Sequence, residues 1–244
     1  MRIGNITIER KDLRRAKEYA QTVHWPDVIA NRRAQKRHPE RKIFMIGPNR
    51  CATTSFHKFF HFQGLRSLHC REGDMYLARE IRDRMQDHDA LRAFLSGWTV
   101  YSDFVYLTQT DHFEAHGLYE TFSALFPDAY FILNDRDVDS WIASRLNFKD
   151  DFLPRYLSVH GGTAYEAADI WREEFASHRR AALEFFAGHP RFIHFPITPI
   201  PDAGIDAPAN IEQVIDMISP VFRLRKAHWR PLNAATKPTQ PQGG

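Results

Sequence analysis

Apolar positions along the 244-residue chain fall into two recurring patterns. Short apolar runs, with the length and flanking residues typical of buried strands, occur five times: at 43–46, 66–70, 98–103, 130–134 and 191–195. Between them the apolar residues follow helical spacing, which predicts helices from Phe56 to a stop at Gly64 and over about 74–87, 112–127, 137–148, 164–190 and 208–219. Five strands that alternate with helices predict a central parallel sheet covered on both faces, a three-layer α/β/α domain.

The two ends of the chain differ from this central part. Residues 10–37 are rich in Lys and Arg and predict one or two basic helices, interrupted around His24, Trp25 and Pro26. Residues 236–244 are rich in Pro, Gln and Gly, a composition typical of disorder. We therefore expect a basic helical extension over 1–41, an α/β domain over 42–235 and a disordered tail over 236–244.

Charge and cysteine content narrow the class of protein. The formal charge is only +3, yet basic residues cluster near the N-terminus and again at 223–230, which suits a polyanionic ligand, nucleic acid or an anionic membrane surface as well as a solvated face. Cys51 and Cys70 form no CxxC pair, and His57 with His61 has no evident third ligand, so we expect neither disulfides nor a metal.

Targeting signals are not evident in the sequence. No apolar run reaches the roughly 18 residues of a membrane span, and the first residues lack an apolar signal region. We therefore expect a cytoplasmic protein without an integral membrane segment and without a nucleic-acid partner, and peripheral membrane contact stays open.

The segment 44–56, FMIGPNRCATTSF, joins the first strand to a helix through a turn rich in hydroxyl groups. Such a turn presents backbone N–H groups to an anion. Thr53, Thr54 and Ser55 add hydroxyl donors or serve simply as helix caps, and Arg50 adds a fixed positive charge. The loop lacks the Lys–Ser/Thr ending with which nucleoside triphosphatases hold phosphate and Mg²⁺, so a metal-free transfer of a less charged group, such as sulfuryl, fits better.

Two segments resemble the nucleotide-binding signature of sulfotransferases that use 3′-phosphoadenosine 5′-phosphosulfate (PAPS). In the loop that binds the 5′-phosphosulfate, a Lys or Arg precedes a small residue, Gly or Ala, and two hydroxyl residues. The pattern is carried here by Arg50, Cys51, Ala52, Thr53, Thr54 and Ser55, with Ala52 in place of the commoner Gly. The resemblance, closest to small bacterial-type members, implies a P-loop NTPase-like fold, PAPS as donor substrate, nucleotide binding by these residues and a catalytic role for Arg50.

Residues 126–148 resemble the second element of that family, which binds the 3′-phosphate. There a strand ends in Arg and a Ser follows eight residues later, a spacing that Arg136 and Ser144 keep. Arg offers forked donors for phosphate, and we expect Ser144 about two turns along a helix capped by Asp137 or Asp139. A surface ion pair with a neighbouring aspartate is the alternative role for Arg136.

The base that takes the proton of an acceptor hydroxyl has three candidates. Asp103, at the end of the third predicted strand, resembles the family position that holds a His or an acidic residue, and it is the first candidate. His69 and Glu72, near the end of the second strand, are the alternatives. Arg225 and Lys226 match only loosely the late basic residues with which the family closes over the nucleotide.

We therefore predict a sulfotransferase that moves a sulfuryl group from PAPS to a hydroxyl of a carbohydrate, lipid or small metabolite. Two other functions stay open from the residues alone: a nucleotide-dependent kinase, and a protein that binds an anion without catalysis. Acceptor identity and oligomeric state are not encoded in any pattern. Phe104, Tyr106, Phe148 and Tyr156 fall in segments that could wall an acceptor pocket, although their spacing equally suits core packing.

Overall fold

The computed structural model describes residues 23–148 and 151–230, together with the backbone of two short paired strands, β1 (Arg2–Ile3) and β2 (Ile6–Thr7). The disordered tail predicted at 236–244 and the helical pattern predicted at 10–22 lie outside the described residues.

Nine further strands follow in the described part of the chain. They are β3 (Ile43–Met45), β4 (Ser67–His69), β5 (Arg71–Glu72), β6 (Met75–Tyr76), β7 (Val100–Ser102), β8 (Val105–Leu107), β9 (His112–Glu114), β10 (Tyr130–Asp135) and β11 (Phe192–Pro196). Five of them form a central sheet in the order β11-β10-β3-β7-β4, and every neighbouring pair in it is parallel. This confirms the five predicted strands and the parallel α/β/α architecture.

Helices cover both faces of this sheet. In chain order they are α1 (Trp25–Arg37), α2 (Thr53–His61), α3 (Leu77–Arg82), α4 (His88–Leu95), α5 (Tyr119–Leu125), α6 (Val138–Leu146), α7 (Phe152–His160), α8 (Ala164–Phe185) and α9 (Ile211–Ile218). The longest, α8, begins with a capping box in which the side chains of Thr163 and Glu166 satisfy each other's backbone N–H groups.

The core is divided by the alternation of side chains along β3. Ile43 and Met45 point to one face, where they pack with buried residues of α2 and α9. Phe44 points to the other face, and its ring stacks on Phe122 of α5 with centroids 4.8 Å apart. Full burial of such side chains stabilises the fold by roughly 1.5–3 kcal/mol each. The sheet is therefore packed on both faces.

Part of the predicted basic extension packs on this domain. Asn31 of α1 is buried, donates to the carbonyl oxygens of Gln63 and Arg223 (both 2.8 Å) and accepts from the Arg223 N–H (2.7 Å). Helix α1 is therefore hydrogen-bonded to two segments that lie far from it in the chain.

Two of the predicted helices are wrong in part. Within 74–87 the helix is confined to α3, because residues 71–76 turn back as the hairpin β5–β6. Asp87, which we expected to end that helix, instead caps the next one: its side chain accepts from the N–H groups of Asp89 (3.1 Å) and Ala90 (3.0 Å).

Within 112–127 the helix is shorter than predicted, because 112–114 form strand β9, paired antiparallel with β8. Glu114 explains the difference, since it is drawn inward to an ion pair with the buried Arg145 of α6. His112 also contacts the Glu114 carboxylate, at 3.1 Å. Burial raises the pKa of Glu114, but Arg145 and the neighbouring histidines outweigh that effect and hold it far below its usual range. A buried charge pair overrode local helical spacing here.

Candidate active site

A cavity of about 990 Å³ lies at the carboxyl ends of the central strands. Residues at or just beyond the end of each of the five strands line it: 49, 50 and 52–55 after β3, 69–71 at the end of β4, Asp103 after β7, Arg136 after β10, and 197–198 after β11. Parallel α/β sheets bind their ligands at this edge. The cavity therefore holds the candidate active site.

The loop between β3 and α2 is held from behind through its carbonyl groups. Side-chain N–H groups donate to four of them: His178 to Ile46 (2.7 Å), Trp141 to Asn49 (2.8 Å), Arg136 to Arg50 (3.1 Å) and Asn134 to Cys51 (2.8 Å). Asn134 also accepts from the Gly47 N–H at 2.9 Å. A Cβ atom at Gly47 would meet the Asn134 carbonyl oxygen at 1.8 Å, so this close approach requires glycine.

Backbone strain concentrates at the same cavity. Among the described residues, five that are not glycine have positive φ angles, and four of the five line the cavity: Arg50 (67°), Ala52 (61°), Cys70 (56°) and Asp103 (62°). Left-handed conformations cost non-glycine residues free energy and are typical of functional sites. Ala52 therefore occupies a position where glycine would be relaxed.

Helix α2 points its N-terminus at the cavity. Its N-cap, Ala52, makes no side-chain capping hydrogen bond, and the N-terminus of a helix attracts anions through its backbone N–H groups and its dipole. The hydroxyls of the first turn make other contacts: Thr53 donates to Asp103 (3.3 Å), and Thr54 hydrogen-bonds to His69 (3.3 Å). The capping role that the sequence left open for Thr53 and Thr54 is thus not the one observed.

Arg50 joins the two sequence segments on which the resemblance rests. Its Nε donates to the Ser144 hydroxyl at 3.1 Å, and its carbonyl oxygen accepts from Arg136 at 3.1 Å. Its guanidinium lies over the ring of Phe148, 4.1 Å from the centroid. Residues 86 and 94 positions apart in the chain therefore meet on one wall of the cavity.

The aspartates beside Arg136 are engaged elsewhere. Asp137 caps α6 by accepting from the Ser140 N–H at 2.8 Å, as one of the two predicted caps. Asp135 is bound by Arg179 (2.8 Å) and His194 (2.7 Å), and Asp139 by Arg172 (2.7 Å). The Arg136 Nε donates to the Ser140 hydroxyl at 3.0 Å, and the residue lines the cavity. The alternative role predicted for Arg136, a surface ion pair with a neighbouring aspartate, is therefore not observed.

Asp103 and His69 face each other beside the first turn of α2. The His69 Nε2 lies 3.6 Å from the Asp103 carboxylate, and its Nδ1 lies 3.1 Å from the Ser102 hydroxyl. Burial raises the pKa of Asp103 to about 6, partly offset by the hydrogen bond from Thr53. Burial, with Lys58 nearby, lowers the pKa of His69 to about 4. At neutral pH the pair therefore consists of a carboxylate and a neutral imidazole.

Other candidates from the sequence lie away from the cavity lining. Glu72 is exposed on β5, and Cys51 is buried in the core, where burial raises the pKa of its thiol. Arg225 pairs with Asp27, and Lys226 pairs with Glu212 at 2.8 Å. Their roles as base or nucleotide ligands stay predictions that this geometry does not favour.

The histidines at 57 and 61 are close in space, as their spacing predicts, and stack at 5.6 Å, while His57 also stacks on His69 at 5.2 Å. Within the described part of the chain, no group of three or more His, Cys, Asp and Glu side chains is arranged to hold a metal ion.

The side of the cavity next to β4 carries residues that the sequence did not single out. Arg71 and Tyr76 come from the hairpin β5–β6, and Arg155 comes from α7. Of the four aromatic residues considered as acceptor walls, Phe148 lines the cavity, while Phe104 and Tyr156 are core residues. Arg71 directly follows a predicted strand, so its position at the edge of the sheet could have been predicted from the sequence. Nothing in the sequence indicated that Arg155 would line the cavity. We call this region the β4 side, and the region of Arg50, Arg136 and Ser144 the β10 side.

The parallel sheet, together with the loop that joins β3 to the N-terminus of α2, defines a P-loop-like α/β fold. A model of the family described as "Sulfotransferase domain" matches residues 42–194, more than half of the chain. The chain therefore belongs to the sulfotransferase family, and it is an enzyme that transfers sulfuryl groups. No curated protein matches the chain at a significant level. None of the described helices is long and apolar enough to cross a bilayer.

Proposed function

We propose that the enzyme transfers a sulfuryl group from PAPS to the hydroxyl of a small acceptor. The observation that carries this proposal is the contact of both candidate phosphate-binding segments through Arg50, which hydrogen-bonds to Ser144 and to Arg136 on one cavity wall. A donor with a phosphosulfate at one end and a 3′-phosphate at the other needs two such anion sites in one cavity.

The donor's 5′-phosphosulfate would lie at the N-terminus of α2. The N–H groups of the first turn, the hydroxyls of Thr53–Ser55 and the Arg50 guanidinium would surround its oxygens. Arg136 and Ser144 would bind the 3′-phosphate. The adenine would lie against the apolar walls near β11, where Phe195, Ile197 and Trp229 line the cavity.

The transfer would proceed by in-line attack of the acceptor oxygen on sulfur. A new O–S bond forms, the bond from sulfur to the bridging oxygen breaks, and adenosine 3′,5′-bisphosphate leaves with the electron pair. Arg50 would stabilise the charge that grows on the bridging oxygen.

The acceptor proton would go to Asp103. Its carboxylate, with a pKa of about 6, is a stronger base than the His69 imidazole, with a pKa of about 4. His69 would then orient the carboxylate, and Glu72, exposed on β5, is the third candidate.

Calorimetry with the full chain tests the donor. We expect tight binding of adenosine 3′,5′-bisphosphate and much weaker binding of ATP with Mg²⁺. Arg136→Ala should weaken the binding of the bisphosphate by roughly tenfold or more, since a hydrogen bond to a charged group contributes about 1.5–3 kcal/mol, and should weaken the binding of adenosine 5′-phosphate far less.

Arg172→Ala is the matched control, because that arginine lies on α8 outside the cavity lining. Equal losses for both nucleotides in Arg136→Ala would reject its role as the 3′-phosphate ligand. Preference for ATP with Mg²⁺ would favour the kinase instead.

A further inference from the structure

The order of strands fixes where a second ligand must lie. Arg136 follows β10 and Arg71 follows β4, with β3 and β7 between them. Neighbouring strands are about 4.8 Å apart, so these strand ends are separated by about 14 Å. Asp103, at the end of β7, lies between them. A donor held on the β10 side therefore leaves the β4 side, beyond the candidate base, to the acceptor.

Two arginines converge on this β4 side. Arg71 lies over the ring of Tyr76, 5.6 Å from the centroid, and donates to its hydroxyl at 3.2 Å. Arg155 is positioned from α7 by donating to the carbonyl oxygen of Leu107 at 3.1 Å. Arg71 follows Cys70 in the chain, and the Cys70 Sγ lies 3.7 Å from the carbonyl oxygen of Val105, which is two residues from Leu107 on β8. Arg71 and Arg155 therefore line the cavity from neighbouring segments, and the positive charge of each opposes the rise that burial causes in the pKa of the Cys70 thiol.

Positively charged residues outnumber negatively charged ones on the described lining of the cavity. Among the described residues that line it there are four arginines, Arg50, Arg71, Arg136 and Arg155, and one carboxylate, Asp103. The proposed donor uses Arg50 and Arg136. Each of the other two guanidinium groups has five N–H donors in a planar fork that matches a carboxylate, so each can bind an anion beside the contacts it already makes.

The walls around these two arginines are apolar. Val105 and Leu107 of β8 line the cavity next to Cys70 and Arg155, and Phe152, on the same helix as Arg155, also lines it. Carboxamide side chains, which recognise sugar hydroxyls, are absent from the described lining of the β4 side. At about 990 Å³ the cavity is near the upper end of small-molecule sites, about 300–1,000 Å³, and is large enough for two small ligands.

We propose that the acceptor is a hydroxyl-bearing carboxylate with an apolar body, whose carboxylate binds between Arg71 and Arg155 while its hydroxyl meets Asp103. This inference rests on the proposed function, because it assigns the β10 side to the donor.

Binding experiments with matched ligands test this acceptor class. The full chain, with and without adenosine 3′,5′-bisphosphate, is titrated with two pairs: 3-(4-hydroxyphenyl)propionate and its amide, and 10-hydroxydecanoate and 1,10-decanediol. We expect at least one carboxylate to bind tenfold or more tightly than its neutral partner, and more tightly than glucuronate, which has the charge without the apolar body.

Arg71→Gln and Arg155→Gln should each reduce this preference several-fold and leave bisphosphate affinity unchanged. Arg172→Gln, outside the lining, should keep both. Because Arg71 is exposed, its variant is expected to fold, so the proposal stays testable if Arg155→Gln does not.

Equal affinity for charged and neutral partners, or tighter binding of glucuronate, would overturn the acceptor class. Loss of bisphosphate binding in the two variants would assign both arginines to the donor instead. Failure of the wild-type chain to bind bisphosphate would reject the proposed donor. The titrations without nucleotide would still show whether the protein prefers carboxylates to their neutral partners, so the two proposals can fail independently.

Discussion

The β10 side and the β4 side of the cavity differ in how their backbone is held. On the β10 side, side chains of β10, α6 and α8 donate to three carbonyl groups of the loop after β3, those of Cys51, Asn49 and Ile46. On the β4 side, two hairpins outside the central sheet supply the walls, and Arg71 is positioned by an exposed tyrosine contact.

This difference has a physical consequence. A loop fixed by buried hydrogen bonds can keep its N–H groups aligned for charge that develops during a reaction. Hairpins at the surface can change sequence at low cost in stability, so they suit recognition of a variable acceptor. Substitutions on the β10 side should therefore affect the chemical step and the fold, and substitutions on the β4 side should affect the choice of acceptor.

The largest expected effect belongs to Arg50. Arg50→Ala should lower kcat by roughly 10²–10³, the usual loss when one donor to a developing negative charge is removed, with a smaller change in donor KM. Arg50→Lys should keep partial activity, because a point charge can still meet one oxygen. Steady-state kinetics with a working acceptor measure both.

An Arg50→Ala enzyme with near-normal turnover and only a raised donor KM would show that Arg50 binds the donor without stabilising the transition state. On the β4 side, Arg71→Ala is the matched comparison. It should raise the acceptor KM and leave the kcat of the saturated enzyme largely unchanged.

Asp103 is expected to have the next largest effect. Asp103→Asn should lower turnover by roughly 10² or more, while affinity for the bisphosphate stays the same. Because burial raises the Asp103 pKa to about 6 and the carboxylate is the active form, wild-type kcat/KM should fall as the pH drops through about 6. The residual activity of Asp103→Asn should lack that inflection.

His69→Ala and Glu72→Gln decide among the candidate bases. A pH inflection that survives in Asp103→Asn and disappears in His69→Ala would identify His69 as the base. An inactive Glu72→Gln enzyme beside an active Asp103→Asn enzyme would identify Glu72.

The same contrast explains what could be predicted from the sequence. The β10 side is built where strands of the central sheet end, so the short apolar runs alone predict that Arg50 and Arg136 share one edge of the sheet. The contact between Arg50 and Arg136 depends on a side-chain hydrogen bond, which the periodicity of apolar residues does not encode. Asn134 is an example, because it reads as the last residue of a strand and yet holds both ends of the loop.

The β4 side could not be predicted in the same way. Strands of two or three residues, such as β5 and β9, are too short to show a period, and the pattern around them favoured helices. The buried pair of Glu114 with Arg145, which fixes β9, joins residues 31 positions apart in the chain. Long-range charge pairing of this kind overrides local preference and leaves no local signal.

Substitutions of Asn134 on the β10 side and Arg71 on the β4 side compare how much each side contributes to the stability of the protein. Asn134→Ala should destabilise the protein by about 2–3 kcal/mol, because it leaves the Gly47 N–H and the Cys51 carbonyl buried without their partner. Denaturant unfolding measures the change. Arg71→Ala, on the exposed hairpin, should stay within about 0.5 kcal/mol of the wild type.

If Asn134→Ala unfolds at the same denaturant concentration as the wild type, the loop is not held from behind in the way the hydrogen bonds indicate. If it is less stable and also binds bisphosphate less tightly, the loop geometry and the donor site are coupled, as expected.

The smallest expected effect is at Ala52, and it tests the strain on the β10 side. Its φ angle of 61° is left-handed, where glycine is relaxed and alanine is strained. Ala52→Gly removes that strain, about 1 kcal/mol, but also makes the unfolded chain more flexible, which costs about 0.4–1 kcal/mol. The free energy of unfolding should therefore be unchanged or increase by less than about 1 kcal/mol. Ala52→Val places a branched side chain in the same conformation and should be clearly destabilising. A glycine variant that loses more stability than the valine variant would mean that Ala52 does not keep this conformation in solution.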